Sequence, residues 1–112
     1  MENREKRKHK RVDFSCGAKM HLVDDNTSVN ATVKDISLVG VRCVVAGRMI
    51  KVGTKLDMEL EMDGHVIKCK GRIVWGLMMR GGVSNIHLFD VGVEFSDISA
   101  ADRYFISKVV NN

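Results

Sequence analysis

Residues 55–62 read KLDMELEM, and no other stretch narrows the possible fold as far. Leu56, Met58, Leu60 and Met62 occupy every second position, with Lys55, Asp57, Glu59 and Glu61 between them. That period gathers the four apolar side chains on one face only in a β-strand; a helix would scatter them around its axis. Asp63-Gly64 follows at once, a pair suited to a two-residue hairpin turn in which both central positions need positive φ. The alternation then resumes. Ile67, Cys69, Ile73 and Trp75 share one parity, and Lys68, Lys70 and Arg72 share the other. Gly71 interrupts the apolar set, which predicts a bulge or a tight bend there.

The same period recurs elsewhere. Ala18, Met20 and Leu22 alternate with Lys19 and His21, and Val29, Ala31 and Val33 alternate with Asn30, Thr32 and Lys34. Val41, Cys43 and Val45 form another apolar face, and His87, Phe89, Val91, Val93 and Phe95 share parity near the end. About six short strands result, which predicts an all-β antiparallel sandwich or barrel. The chain has no proline, so its turns fall to Gly, Asp and Asn, at 24–28, 63–64 and 80–82. Helical spacing is confined to the last stretch, about 99–110. Ser99 is a good N-cap with Asp102 three residues on, and Ala101, Tyr104, Phe105 and Val109 predict one apolar stripe.

A chain of 112 residues suggests one domain, large enough to hold a core without staples. Its 45% hydrophobic and 29% charged residues exclude a disordered chain. Cys16, Cys43 and Cys69 are an odd number with no CxxC pair, a poor disulfide framework that fits a reducing compartment. No apolar run approaches the ~18 residues of a membrane span, and the basic start is not followed by the apolar core of a signal peptide. The expectation is a cytoplasmic protein with no membrane insertion. His9, His21, His65 and His87 show no metal-ligand spacing, so no metal is expected. Cys43, Cys69 and Trp75 read as core or pocket wall, and the seven methionines as core filler. Without a nucleophile elbow, phosphate loop or paired carboxylates, the chain does not read as an enzyme.

Charge is distributed unevenly. Residues 1–11 hold six of the 18 Lys and Arg and only two of the 14 Asp and Glu, so the net charge of +4 resides entirely in this segment. The sequence divides accordingly into a basic arm at 1–13 and a barrel domain at 14–112. The arm is either a solvated tail or half of an anion site whose other half lies further along.

The second strand breaks its own pattern. After Val29, Ala31 and Val33, the next residue of that parity is Asp35, in the segment DISLVG. A carboxylate on an apolar face is costly unless it is paired or sits at the rim. One account is a strand end, where Asp35 and Ser37 cap the turn and Gly40 supplies positive φ. The arm supports another. Arg7 and Arg11 bracket three residues, and arginine offers a planar fork that grips phosphate or the O6/N7 edge of guanine. Asp35 can accept from guanine N–H donors, and Gly40 lets backbone approach a ligand.

Arg-x-x-x-Arg at 7–11 followed by Asp-x-Ser-x-x-Gly at 35–40 resembles the PilZ domain family. GRIVWG at 71–76 and DVGVEF at 90–95 look like that family's later strands, and a terminal helix follows as in many members. The resemblance covers nearly the whole chain. It implies a six-stranded antiparallel β-barrel with a flanking C-terminal helix that binds cyclic di-GMP, a dianion carrying two guanines, with no other cofactor. It maps Arg7 and Arg11 onto the arginines that grip phosphate and guanine, and Asp35, Ser37 and Gly40 onto the strand-turn motif beside them. The arm would then wrap a nucleotide held on the barrel. Surplus cations allow an alternative register with Arg4 and Lys8. Lys6, immediately before Arg7, occupies a position that the family associates with two stacked ligands, and Lys8 and Lys10 are further auxiliary cations.

Two rival readings differ in class. One is a barrel that binds single-stranded nucleic acid through the arm. It needs aromatic platforms, but Phe89, Phe95, Tyr104 and Phe105 all fall on faces expected to pack into the core, so nucleic acid is not expected. The other is a protein-binding adaptor of the same fold that has lost its ligand, which the intact motifs oppose. A lone domain of this kind would signal through an unidentified downstream protein.

Overall fold

The computed structural model describes residues 9–79 and 86–111. Six strands precede one helix: β1 (Val12–Leu22), β2 (Thr27–Ile36), β3 (Gly40–Ala46), β4 (Lys55–Met62), β5 (His65–Met78), β6 (Leu88–Asp97) and α1 (Ala100–Val110). All pairings are antiparallel, in the order β1-β2-β3-β6-β5-β4, and β4 returns to β1 to close a barrel. The expected six-stranded barrel with a C-terminal helix is therefore present.

Period-two patterning decides what lies inside. Leu56, Met58, Leu60 and Met62 of β4 are buried, as are Ala18, Met20 and Leu22 of β1, Val41, Cys43 and Val45 of β3, and Phe89, Val91 and Val93 of β6. Outward residues of β1, β4 and β5 form a charge lattice. Lys19 faces Glu59, which faces Lys68; His21 faces Asp57, which faces Lys70. Lys70 Nζ lies 2.9 Å from Asp57 Oδ1, so neighbouring strands neutralise one another.

The turns follow the predicted chemistry where they are described. Asp63 (φ 48°) and Gly64 (φ 80°) both adopt positive φ, the requirement of the tight β4–β5 hairpin. The 24–28 turn is shorter than expected, because Thr27 already begins β2; Asn26 takes φ 55° and the Asp25 carboxylate accepts from Thr27 N. The expected turn at 80–82 lies outside the described residues. Gly71 does mark a bulge: the β5–β6 register slips between Lys70 and Gly71. A Cβ at Gly71 would sit 2.8 Å from Glu94 O, so the bend brings two backbones too close for any side chain.

The helix corrects one expectation. Ser99 caps it as predicted, its Oγ accepting from Asp102 N at 3.1 Å. The inward stripe is rotated, however: Ile106 and Val110 are fully buried, Phe105 and Val109 are packed at its margin, Ala101 is exposed, and Tyr104 is 64% exposed. Asp102 turns partly inward because His65 on β5 receives it, with Nε2 3.2 Å from Oδ1, while the His65 ring stacks on Phe105 at 4.4 Å. Tyr104 thus stands outside the core, and His87, placed on the β6 apolar face by parity, is exposed ahead of the strand.

Candidate functional site

The hairpin joining β2 to β3 carries the irregular segment. Ile36 pairs with Val41, and Ser37 N donates to Gly40 O at 2.9 Å. Ser37 Oγ accepts from Val39 N at 3.1 Å, closing the turn with its own side chain. The tip is stapled from two sides: Phe95 N of β6 donates to Val39 O at 2.8 Å, and Arg103 of α1 donates to Leu38 O at 3.1 Å. Asp35 and Ser37 are therefore held rigidly, and both are buried.

Gly40 departs from the strand-end account. Its φ is not positive. A Cβ there would fall closer than 3.0 Å to Val93 O, so Gly40 is required because β3 and β6 press together at that point.

Asp35 sits at a register slip between β2 and β3, facing Arg42 on β3 and Asp13 on β1. Its Oδ2 accepts from Arg42 Nε at 2.7 Å. Arg42 Nη1 in turn donates to both carboxylate oxygens of Asp90 on β6, at 3.0 and 3.2 Å. The bond to Asp35, opposed by burial and aided by Asp90, raises the Arg42 guanidinium above its already high pKa. Asp35 Oδ1 is buried and has no hydrogen-bond partner among the described residues. Arg11 Nε approaches it to 3.4 Å, within ion-pair range but without hydrogen-bond geometry. A buried carboxylate oxygen in that condition is an unused acceptor.

Beside Asp35, and lined by both arginines that approach it, lies a cleft of about 210 Å³; Ser37, Gly40, Trp75 and Glu94 also border it. Trp75, half-buried, covers Gly92, where a Cβ would collide with the indole. Glycine at 92 is what lets the indole lie against β6 and form one wall. A larger open groove of about 830 Å³ crosses the outer charge lattice and contains none of the expected site residues.

Arg11, Asp35, Ser37 and Gly40 thus come together. Lys10 is exposed beside Arg11. Arg7, Lys6 and Lys8 lie outside the described residues, as does Arg4 of the alternative register. Arg42 and Asp90 were not anticipated. The signal for Arg42 was available: once a tight turn sets Ile36 against Val41, Asp35 must face Arg42. Among the described residues no group of three His, Cys, Asp or Glu side chains is placed to hold a metal ion, and no helix is long and apolar enough to cross a membrane.

Comparison with known proteins agrees with this fold. The chain matches no curated protein sequence. Among solved structures it is similar to the PilZ domain of YcgR from Escherichia coli with c-di-GMP, with a TM-score of 0.77 at 12% identity, covering 96% of this chain and 90% of that one. It is also similar to the Bacillus subtilis inhibitor of motility MotI (TM-score 0.72, 17% identity, 96% and 50% covered). The complex of K. pneumonia MrkH with c-di-GMP gives a TM-score of 0.74 at 13% identity, with 96% and 52% covered. The chain therefore spans most of the isolated YcgR domain and about half the length of the other two. The PilZ domain model matches residues 5–110, and the chain belongs to the PilZ domain family.

Proposed function

We propose that this protein is a receptor for cyclic di-GMP, held between the barrel cleft and the basic segment that precedes β1. The observation that carries the reading is the buried Asp35, whose Oδ1 lacks a hydrogen-bond donor beside a cleft lined by Arg11. A guanine edge supplies N–H donors, and leaving such an acceptor unmet costs about 1–3 kcal/mol. The Arg11 guanidinium beside it suits a phosphate or the O6/N7 edge. A cleft of about 210 Å³ is sized for one base and not for the whole dinucleotide. The rest of the ligand then falls to residues 1–13, with Arg7 paired to Arg11 and Lys6, Lys8 and Lys10 as auxiliary cations. The similar YcgR and MrkH structures hold the same nucleotide, which supports the assignment.

The domain has no catalytic role in this reading. It reports the nucleotide by changing the surface that an unidentified downstream protein meets, in the cytoplasm. Calorimetric titration of the full chain with cyclic di-GMP, with GTP and single-stranded DNA as controls, tests it. Saturable binding of cyclic di-GMP alone is expected. Binding of the DNA in preference would install the nucleic-acid reading, for which exposed Tyr104 offers a stacking face, and binding of neither would leave the ligand-free adaptor.

A further inference from the structure

Resting on the cyclic di-GMP assignment, we infer that Arg42 and Asp90 are positioning residues that hold Asp35 in the one orientation that presents Oδ1 to a guanine. The residues involved come from three strands: Asp35 from β2, Arg42 from β3 and Asp90 from β6. Arg42 is the bridge. Its Nε donates to Asp35 Oδ2, and its Nη1 donates to both oxygens of Asp90. The guanidinium plane is therefore fixed at both ends, and a fixed guanidinium fixes the carboxylate it grips.

Without that grip Asp35 has a competing partner. Arg11 already stands 3.4 Å from Oδ1. A carboxylate released from Arg42 rotates to offer both oxygens to Arg11, and the acceptor intended for guanine is consumed together with an arginine of the site. The bridge thus keeps the two apart. Arg42 borders the cleft, but its Nε and Nη1 are spent on the two carboxylates, so its action on the nucleotide is assigned to its grip on Asp35. Neither Asp35 nor Asp90 is among the residues that line the cleft; Asp35 adjoins it beside Arg11, whereas Asp90 is joined to Asp35 only through Arg42 and so acts through this relay.

The test is a double-mutant cycle on the full chain, titrated with cyclic di-GMP and accompanied by melting curves. Arg42→Met keeps the aliphatic stem and removes the fork; it is expected to weaken binding by about 10- to 100-fold. In an Asp35→Ala background the same change is expected to alter affinity by less than about twofold, because the two residues act as one unit. Asp90→Asn, a change of one atom at a side chain only partly exposed on the far side of the bridge, is expected to cost about 3- to 10-fold with the melting temperature retained. It reads the relay even where Arg42→Met folds poorly. Equal losses from Arg42→Met in both backgrounds would mean that Arg42 meets the ligand itself, and would overturn the inference. Parent-like binding by Asp90→Asn would do so too. Both results leave cyclic di-GMP as the ligand, whereas a parent protein that takes up none removes the ligand assignment and this inference together.

Discussion

Replacing Gly40 by alanine adds one methyl group, and the structure places that methyl closer than 3.0 Å to the Val93 carbonyl oxygen. Carbon–oxygen contacts between strands settle near about 3.3–3.6 Å. The obstacle is backbone, so no rotamer change relieves it; β3 and β6 must part. Forced overpacking of this kind costs about 1–3 kcal/mol. The bonds nearest the strain are Ser37 N to Gly40 O and Phe95 N to Val39 O, each worth about 1 kcal/mol net. Partial loss of both brings the total to about 2–4 kcal/mol, or a fall of about 8–17 °C in melting temperature for a chain of this size. Gly47→Ala is the control: its φ is +95° but nothing lies within 4 Å of an added Cβ, so it carries only the positive-φ penalty of about 1 kcal/mol. Thermal unfolding by circular dichroism should rank the parent above Gly47→Ala and that above Gly40→Ala. Cyclic di-GMP affinity of Gly40→Ala should fall as well, since the same hairpin holds Asp35 and Ser37. A variant that melts within about 2 °C of the parent would refute the steric account and return Gly40 to a role at the ligand alone.

Arg11→Ala should weaken cyclic di-GMP binding by about 10- to 150-fold while melting with the parent, because Arg11 precedes β1 and lies outside the core; unchanged calorimetric affinity would remove it from the site. Burial pushes the Cys43 thiol up to about 12 and Cys69 to about 11. Both thiols favour the folded state fully at pH values below the unfolded thiol pKa of about 9, and that contribution fades as pH climbs toward 11 and 12. Native protein at pH 8 should accordingly leave both unmodified by a thiol reagent, and rapid labelling of either would contradict the burial. Lys6 is expected to help seat a second ligand by offsetting repulsion among four phosphate charges; Lys6→Leu should shift the calorimetric ratio from two ligands per chain toward one, and a parent that saturates at one would sink the idea. Added salt should weaken binding throughout, since exposed charge pairs are screened.

The strands were legible because each has to solve the same problem, apolar inside and polar outside, and period two records the solution directly. The helix was less so. Two overlapping stripes are available in residues 100–110, and the choice between them turns on His65, which takes up Asp102 from a distant strand. Local spacing contains no trace of that contact. Asp35 announced itself as a polar residue out of place on an apolar face. Arg42 did not, because an arginine between Val41 and Cys43 is ordinary outward patterning until the hairpin register is fixed. The steric reason for Gly40 was hidden for a similar cause: the carbonyl that forbids a side chain there belongs to Val93, on a strand far along the chain.

Closure of the barrel has a consequence for how a message leaves the domain. Each of the six strands has a neighbour on both sides, β1 and β4 included. Among the described residues no barrel strand stands at a rim with its row of backbone N–H and C=O groups open, so an incoming chain finds no ladder to extend. Recognition by strand addition, a common route for small β domains, is closed to this barrel. On the proposed function, a partner must instead read side chains: the charge lattice, the helix face that bears Tyr104, or the surroundings of a bound nucleotide. On that proposal the last is the surface that the nucleotide alters, which makes the ligand itself part of what is read.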